Sequence, residues 1–165
     1  MSLRRILRHV FTTNLKAHRC FPTHALTAME HEIQAAEATH GGELRFVIET
    51  ALEGLALWHD VTPRERALDV FSRLRVWDTA RRNGVLIYLL LADRDVEIVA
   101  DRGFDGLVSA AEWESACRAM ETEFRSGRYK EGALAGIRAV SALIERHFPP
   151  EPRDVNELPN RPVVL

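Results

Sequence analysis

Residues 77–106 read WDTARRNGVLIYLLLADRDVEIVADRGFDG, and their division into elements decides the fold. Val85 to Leu91 is an unbroken apolar run, the pattern of a strand covered on both faces. Asp93-Arg94 supplies a two-residue reversal into a second strand, in which Val96, Ile98 and Ala100 alternate with Asp95, Glu97 and Asp101. That period of two marks a strand with one buried face. A tight antiparallel hairpin returns Asp101 and Gly103, at the end of the second strand, to Asn83 and Gly84, at the start of the first. Asp78, Asn83, Asp101 and Asp105 are thereby expected at one sheet edge, which makes this edge the leading candidate site.

Outward from the hairpin, Thr62 and Glu65 form a capping box, with Pro63 in the first turn. They predict a helix from about Pro63 to Trp77, with Val70, Phe71, Leu74 and Trp77 facing the core. Glu43 to Leu52 reads as an earlier strand. The strand–helix–strand unit is then a right-handed parallel crossover that puts Glu43 at the same edge as Asn83. Thr23, as N-cap, opens a helix with Leu26, Met29, Ile33 and Ala36 on its inner face, and Gly41-Gly42 stops it. Ser109 and Glu112 form a second capping box, opening a helix with Trp113, Ala116, Cys117, Met120 and Phe124 inward. A last long helix runs from about Tyr129 to His147. The class is α/β: a three-layer α/β/α sandwich around a mixed sheet that contains the antiparallel hairpin.

Length and composition fit one globular domain of 165 residues, with 46% hydrophobic and 28% charged residues. The net charge of -2 gives no reason to expect nucleic-acid binding, and no apolar run approaches the roughly 20 residues that span a bilayer. Cys20 and Cys117 do not make a disulfide framework.

The chain divides into a basic amphipathic helix and linker at 1–22, a domain at 23–148 and a proline-rich tail at 149–165. The first 29 residues carry Arg4, Arg5, Arg8, Lys16 and Arg19 and no acid. This stretch superficially has the look of an organellar transit peptide, but the apolar segment of a secretion signal is missing. A cytoplasmic location is the simplest expectation. Leu3, Ile6, Leu7, Val10 and Phe11 fall on one helical face. Either that face packs on the domain with the arginines in water, or the helix meets an anionic membrane surface or a protein partner. The tail has no helical period, and its end, Val163 to Leu165, either docks on a groove or sheet edge or stays loose.

The order of these motifs resembles the TPM domain family over roughly residues 24–148. The matching features are Gly42-Glu43, Asp78, Asn83-Gly84-Val85-Leu86, the Asp93-Arg94 reversal, Gly103 with Gly106, and Phe124 to Gly132. The resemblance implies the same three-layer sandwich and a divalent-metal pocket in the acidic region. Some relatives are described as acid phosphatases. Asp78, Asn83, Asp101 and Asp105 offer the oxygens that Ca²⁺ or Mg²⁺ prefers, and Arg102 would steer a phosphate. Two features depart from the family pattern. Glu112, in its capping box, stands near the place where relatives carry an aspartate. Arg102, between Asp101 and Gly103, stands where relatives carry a small or aromatic residue, and pairs either with a phosphate or with the neighbouring acids, displacing a metal.

Glu37, His40 and Glu43, spaced E-x-x-H-x-x-E, are a weaker metal candidate. Nothing points to nucleophilic catalysis, a phosphate loop or an organic cofactor. Two functions therefore compete: a non-enzymatic module that binds a partner or membrane through residues 3–11, slightly favoured, and a metal-dependent acid phosphatase.

Overall fold

The computed structural model describes residues 2–151 and 155–165. Among these residues seven α-helices are arranged about one sheet: α1 (Leu3–Phe11), α2 (Asn14–Cys20), α3 (Thr23–Glu37), α4 (Gly54–Trp58), α5 (Pro63–Arg73), α6 (Ala110–Arg125) and α7 (Tyr129–His147). The strands β1 (Glu43–Glu49), β2 (Gly84–Leu90), β3 (Asp95–Ala100) and β4 (Val163–Val164) lie in the order β3-β2-β1-β4. β1 is parallel to both β2 and β4, while β2 and β3 are antiparallel.

Every residue of β1 and β2 is buried, because both faces of these central strands are covered. Phe46, Ile48, Val85, Ile87 and Leu89 pack with Met29 and Ile33 of α3, Met120 of α6 and Ile137 of α7. On the opposite face Val47, Leu86, Tyr88 and Leu90 pack with Ala67 and Val70 of α5. These are the three layers of an α/β/α sandwich. In the register Glu43 lies opposite Gly84, and Val85 opposite Ala100, so the expected edge forms.

Several local expectations are corrected. The reversal between β2 and β3 spans Leu91 to Arg94, and Arg94 takes a left-handed φ of 55°. Val99 is buried as well as Val96 and Ile98, because the α5 layer reaches over β3. Arg75, at φ 52°, ends the helical path after α5. Val76 then enters the core, and Trp77 stays 47% exposed. Pro22 occupies the N-cap position of α3 with Thr23 as its first residue, and α3 ends at Glu37, ahead of the two glycines. β1 stops at Glu49, and the short helices α2 and α4 form where none was expected. The chain's last residues add β4 to the sheet edge. There Thr50 N–H donates to Leu165 O, and Leu165 N–H to Ile48 O, at 2.9 Å each.

Of the two readings of α1, the structure contradicts the one in which its apolar face packs on the domain with the arginines in water. The helix turns its polar face inward. Arg5 donates to Asp93 at 3.0 Å, to Asp60 at 2.5 Å and to the Val61 carbonyl at 2.7 Å. Arg8 donates to Asp93 at 2.6 Å, and His9 Nε2 lies 3.2 Å from the same carboxylate. The Asp93 side chain is 7% exposed, and a carboxylate taken from water needs cations around it. Leu3, Val10 and Phe11 are consequently 71%, 63% and 76% exposed, with Leu7 at 46%.

Candidate functional site

At the edge where β1 and β2 begin and β3 ends, four stretches of chain crowd together. Gly84 belongs there because a Cβ would lie 1.9 Å from the Val76 carbonyl oxygen. A Cβ on Gly103 would lie 2.3 Å from the Arg82 carbonyl oxygen. Gly103 N–H donates to that carbonyl, and Asp101 N–H donates to Gly84 O, at 2.9 Å each. The loop before β2 and the loop after β3 are thus stitched into one surface.

Asn83 and Asp101 are 1% and 6% exposed. Asn83 Nδ2 donates to the Gly41 carbonyl, and Asn83 N–H donates to Thr79 Oγ1 at 3.1 Å. Asp101 Oδ1 accepts the Arg102 N–H at 2.7 Å, capping a 3-10 turn at Arg102–Phe104. The second oxygens, Asn83 Oδ1 and Asp101 Oδ2, are buried and have no hydrogen-bond partner. Two buried acceptors left unpaired at one edge are unfavourable as they stand.

The remaining predicted residues sit differently. Asp78 and Asp105 are exposed on turns, held through their backbones to Arg75 and Arg102. The Arg102 side chain is 73% exposed and 4.0 Å from Asp101. Among the described residues no group of three or more His, Cys, Asp or Glu side chains is arranged to hold a metal ion. The structure brings Asn83 and Asp101 together and leaves Asp78 and Asp105 at the rim.

Glu37, His40 and Glu43 line a shared recess of about 250 Å³ with Asn156 and Asn160, yet each has a structural task. Glu37 accepts the Leu44 N–H at 3.1 Å, and burial pushes its carboxyl up to about 8, with the Glu43 charge adding to the shift. Glu43 accepts the N–H groups of Glu157 and Leu158 at 3.1 and 3.0 Å, fastening the tail across the start of β1. His40 Nδ1 accepts the Gly42 N–H at 3.3 Å. Glu112 caps α6 and binds Arg146 at 2.7 Å. The Ser109 amide, foremost, and Arg146 hold its carboxyl down at about 2.

Sequence reasoning passed over the opposite edge. Glu49, at the end of β1, accepts Arg66 Nε and Nη2 at 2.9 Å each and the Tyr88 hydroxyl at 2.6 Å. A charge closing the otherwise apolar run Phe46-Val47-Ile48 was the available signal. His9 is 3% exposed and accepts the Leu52 N–H at 2.9 Å, tying α1 to the segment after β1.

The comparisons with known proteins agree with this architecture. The BA42 protein from the psychrophilic bacterium Bizionia argentinensis, solved by NMR, is 30% identical, with a TM-score of 0.77 over 88% of this chain and 95% of that one. The N-terminal domain of a P. gingivalis protein, also solved by NMR, shares the fold at 22% identity. Its TM-score is 0.61 over 78% of this chain and 81% of that one. No curated protein matches. The model of the TPM domain matches residues 20–143, most of the chain, from the end of α2 into α7 with β1, β2 and β3, and the chain therefore belongs to the TPM domain family.

Proposed function

We propose that this TPM domain is a non-enzymatic docking module that lays α1 on an anionic membrane surface. The observation that carries this reading is the inverted α1, fastened by Arg5, Arg8 and His9 with Leu3, Leu7, Val10 and Phe11 turned outward. Further apolar side chains are exposed on the helices that border the same cavity. Leu15 of α2 and Leu55 and Trp58 of α4 are 59%, 75% and 73% exposed, and α1, α2 and α4 border a common cavity. Arg4, Lys16 and Arg19 make no ion pair among the described residues, which leaves their charge for lipid headgroups.

Apolar side chains flanked by free cations are the composition of an interfacial helix. Half-burying four such residues is worth on the order of 5 kcal/mol, and each basic residue near an anionic leaflet adds about 1 kcal/mol. The cytoplasmic leaflet, where anionic lipids concentrate, suits such a surface, and a cytoplasmic location is part of this proposal. Among the described residues no helix is long and apolar enough to cross a membrane.

Co-sedimentation with phosphatidylcholine vesicles, with and without phosphatidylserine, tests this reading. Binding is expected only with phosphatidylserine, and Leu7→Ser with Phe11→Ser should abolish it. Equal binding by the double variant, or none to anionic vesicles, contradicts the reading; capture by a protein groove then becomes the occupant to seek.

A second reading is favoured by the unpaired Asn83 Oδ1 and Asp101 Oδ2. They would give two oxygens to a hydrated Ca²⁺ or Mg²⁺, with Asp78 and Asp105 at the rim adding charge, either ordering the loops or serving phosphomonoester hydrolysis. Such a cation would polarise a phosphoryl oxygen, and Arg102 would orient the phosphate. A cation at about 100 times its dissociation constant adds about 2.7 kcal/mol to stability. A raised unfolding midpoint that Asp101→Asn removes supports the metal site, and phosphatase turnover then separates enzyme from ordered loop. An unchanged midpoint removes this reading.

A further inference from the structure

The outward side of α1 carries an open groove of about 670 Å³, lined by Ser2, Arg4, Arg5, Leu7, Arg8 and Phe11. Arg4, Leu7, Arg8 and Phe11 stand at i, i+3, i+4 and i+7, so they share one face of the helix. On that face the two arginines border the apolar stripe, between it and the inward side held by Arg5 and His9. A helix lying in an interface with the stripe submerged sets such side chains at headgroup depth, their stems along apolar surface and their charges in the polar layer.

The arginines of the groove differ in what they still have to offer. Arg5 is fully engaged, with Nε on Asp93, Nη1 on Asp60 and Nη2 on the Val61 carbonyl. Arg8 places only Nη2 on Asp93, at 2.6 Å. Its side chain is 53% exposed, and its Nε and Nη1 have no partner among the described residues. Asp93 thus steadies one corner of the Arg8 fork and leaves the other nitrogens unengaged. Arg4 is exposed and has no ion pair among the described residues. No acidic side chain lines the groove.

Two open guanidinium groups one helical turn apart favour a particular anion. Each fork donates two parallel hydrogen bonds, and phosphate oxygens match that geometry. A phosphodiester has only two unesterified oxygens and a single charge. A phosphomonoester offers three oxygens and a charge of about −1.5 to −2 at neutral pH, enough to engage both forks. Leu7 and Phe11 in the same groove call for an apolar group attached to the phosphate.

We propose that Arg4 and Arg8 form a binding site for the phosphomonoester headgroup of a lipid. This rests on the docking of α1 to a membrane and sharpens it from charge to headgroup chemistry. The test is co-sedimentation of the full chain with phosphatidylcholine vesicles containing either phosphatidic acid or phosphatidylglycerol, adjusted to equal zeta potential. Binding to the phosphatidic acid vesicles is expected to be about tenfold tighter. Arg4→Lys, which keeps the charge and touches none of the partners of Arg5 and Arg8, should lower that ratio, and Arg4→Lys with Arg8→Lys should bring it close to one, because an ammonium group is a point charge without a fork. Millimolar inorganic phosphate at constant ionic strength should leave the preference in place. Equal binding of the parent to both vesicles, or an unchanged ratio in the double variant, overturns the headgroup site while leaving membrane docking intact. Loss of the preference to inorganic phosphate overturns it in favour of a free anion, and absence of binding to either vesicle removes the docking reading as well.

Discussion

The two ends of the sheet use polar residues in opposite ways. At the end where β1 and β2 begin, Asn83, Gly84, Asp101 and Gly103 belong to short motifs, and the backbone takes up most of what they offer. Loops there approach so closely that two glycines have no room for a methyl group. At the other end the chain passes without a motif. Glu49, Thr50, Arg66 and His9, from distant segments, line an open cavity, and Asp93 and the Leu52 amide fasten α1 beside it. Motif density therefore marks where the chain must turn tightly, and the larger open space lies where no motif stands.

The largest expected effect is at the tight end. Gly84→Ala drives a Cβ to 1.9 Å from a carbonyl oxygen in a buried strand, and should cost more than about 3 kcal/mol in urea unfolding. A smaller loss would show that this edge is looser than described. At the open end, Arg66→Met leaves Glu49 buried without its cation and should cost about 3 kcal/mol. Glu49→Gln with Arg66→Met should recover part of that loss, as a double-mutant cycle would show.

The pH dependence separates the ends further. Glu37 has its folded-state pKa raised to about 8 from an unfolded value of 4.5, so the folded protein binds the extra proton between them. Stability should fall by up to a few kcal/mol as pH rises through that window. Glu37→Gln should flatten the slope, and an unchanged slope would remove Glu37 as its source. Asp93→Asn loosens the cations that hold α1, with about 1–2 kcal/mol lost. The change should show as faster hydrogen exchange in α1 while β2 stays protected.

How much of this the residues announced depends on the kind of physics involved. The hairpin and crossover were legible because the run Val85–Leu91 and the alternation after it report burial directly. The capping boxes at Thr62 and Ser109 were legible because the spacing alone specifies their bonds, and both form. Trp77 was misplaced because helical phase carries no information past Arg75, where the backbone turns left-handed. β4 has two residues, too few for a period, and is defined only by the β1 edge that receives it.

The orientation of α1, which the sequence left open between two readings, is the most instructive. Its apolar stripe was correctly located, but a stripe does not say which surface the rest of the protein presents to the helix. That surface is carboxylate-lined by Asp60 and Asp93, and ion pairing set the orientation. In the candidate site, donor identities could be read, whereas the burial of Asn83 and Asp101 and the exposure of Asp78 and Asp105 came only with the loops in place.

The orientation of α1 underlies the proposed docking, and a soluble paramagnetic relaxation agent tests it directly in the full chain. The account predicts strong relaxation of the Leu3 and Leu7 methyl groups and the Phe11 ring, with the His9 ring and the Arg5 Nε–H protected. Protected methyl groups beside exposed Arg5 and His9 would mean that the apolar stripe packs inward, and would contradict the docking surface at its origin.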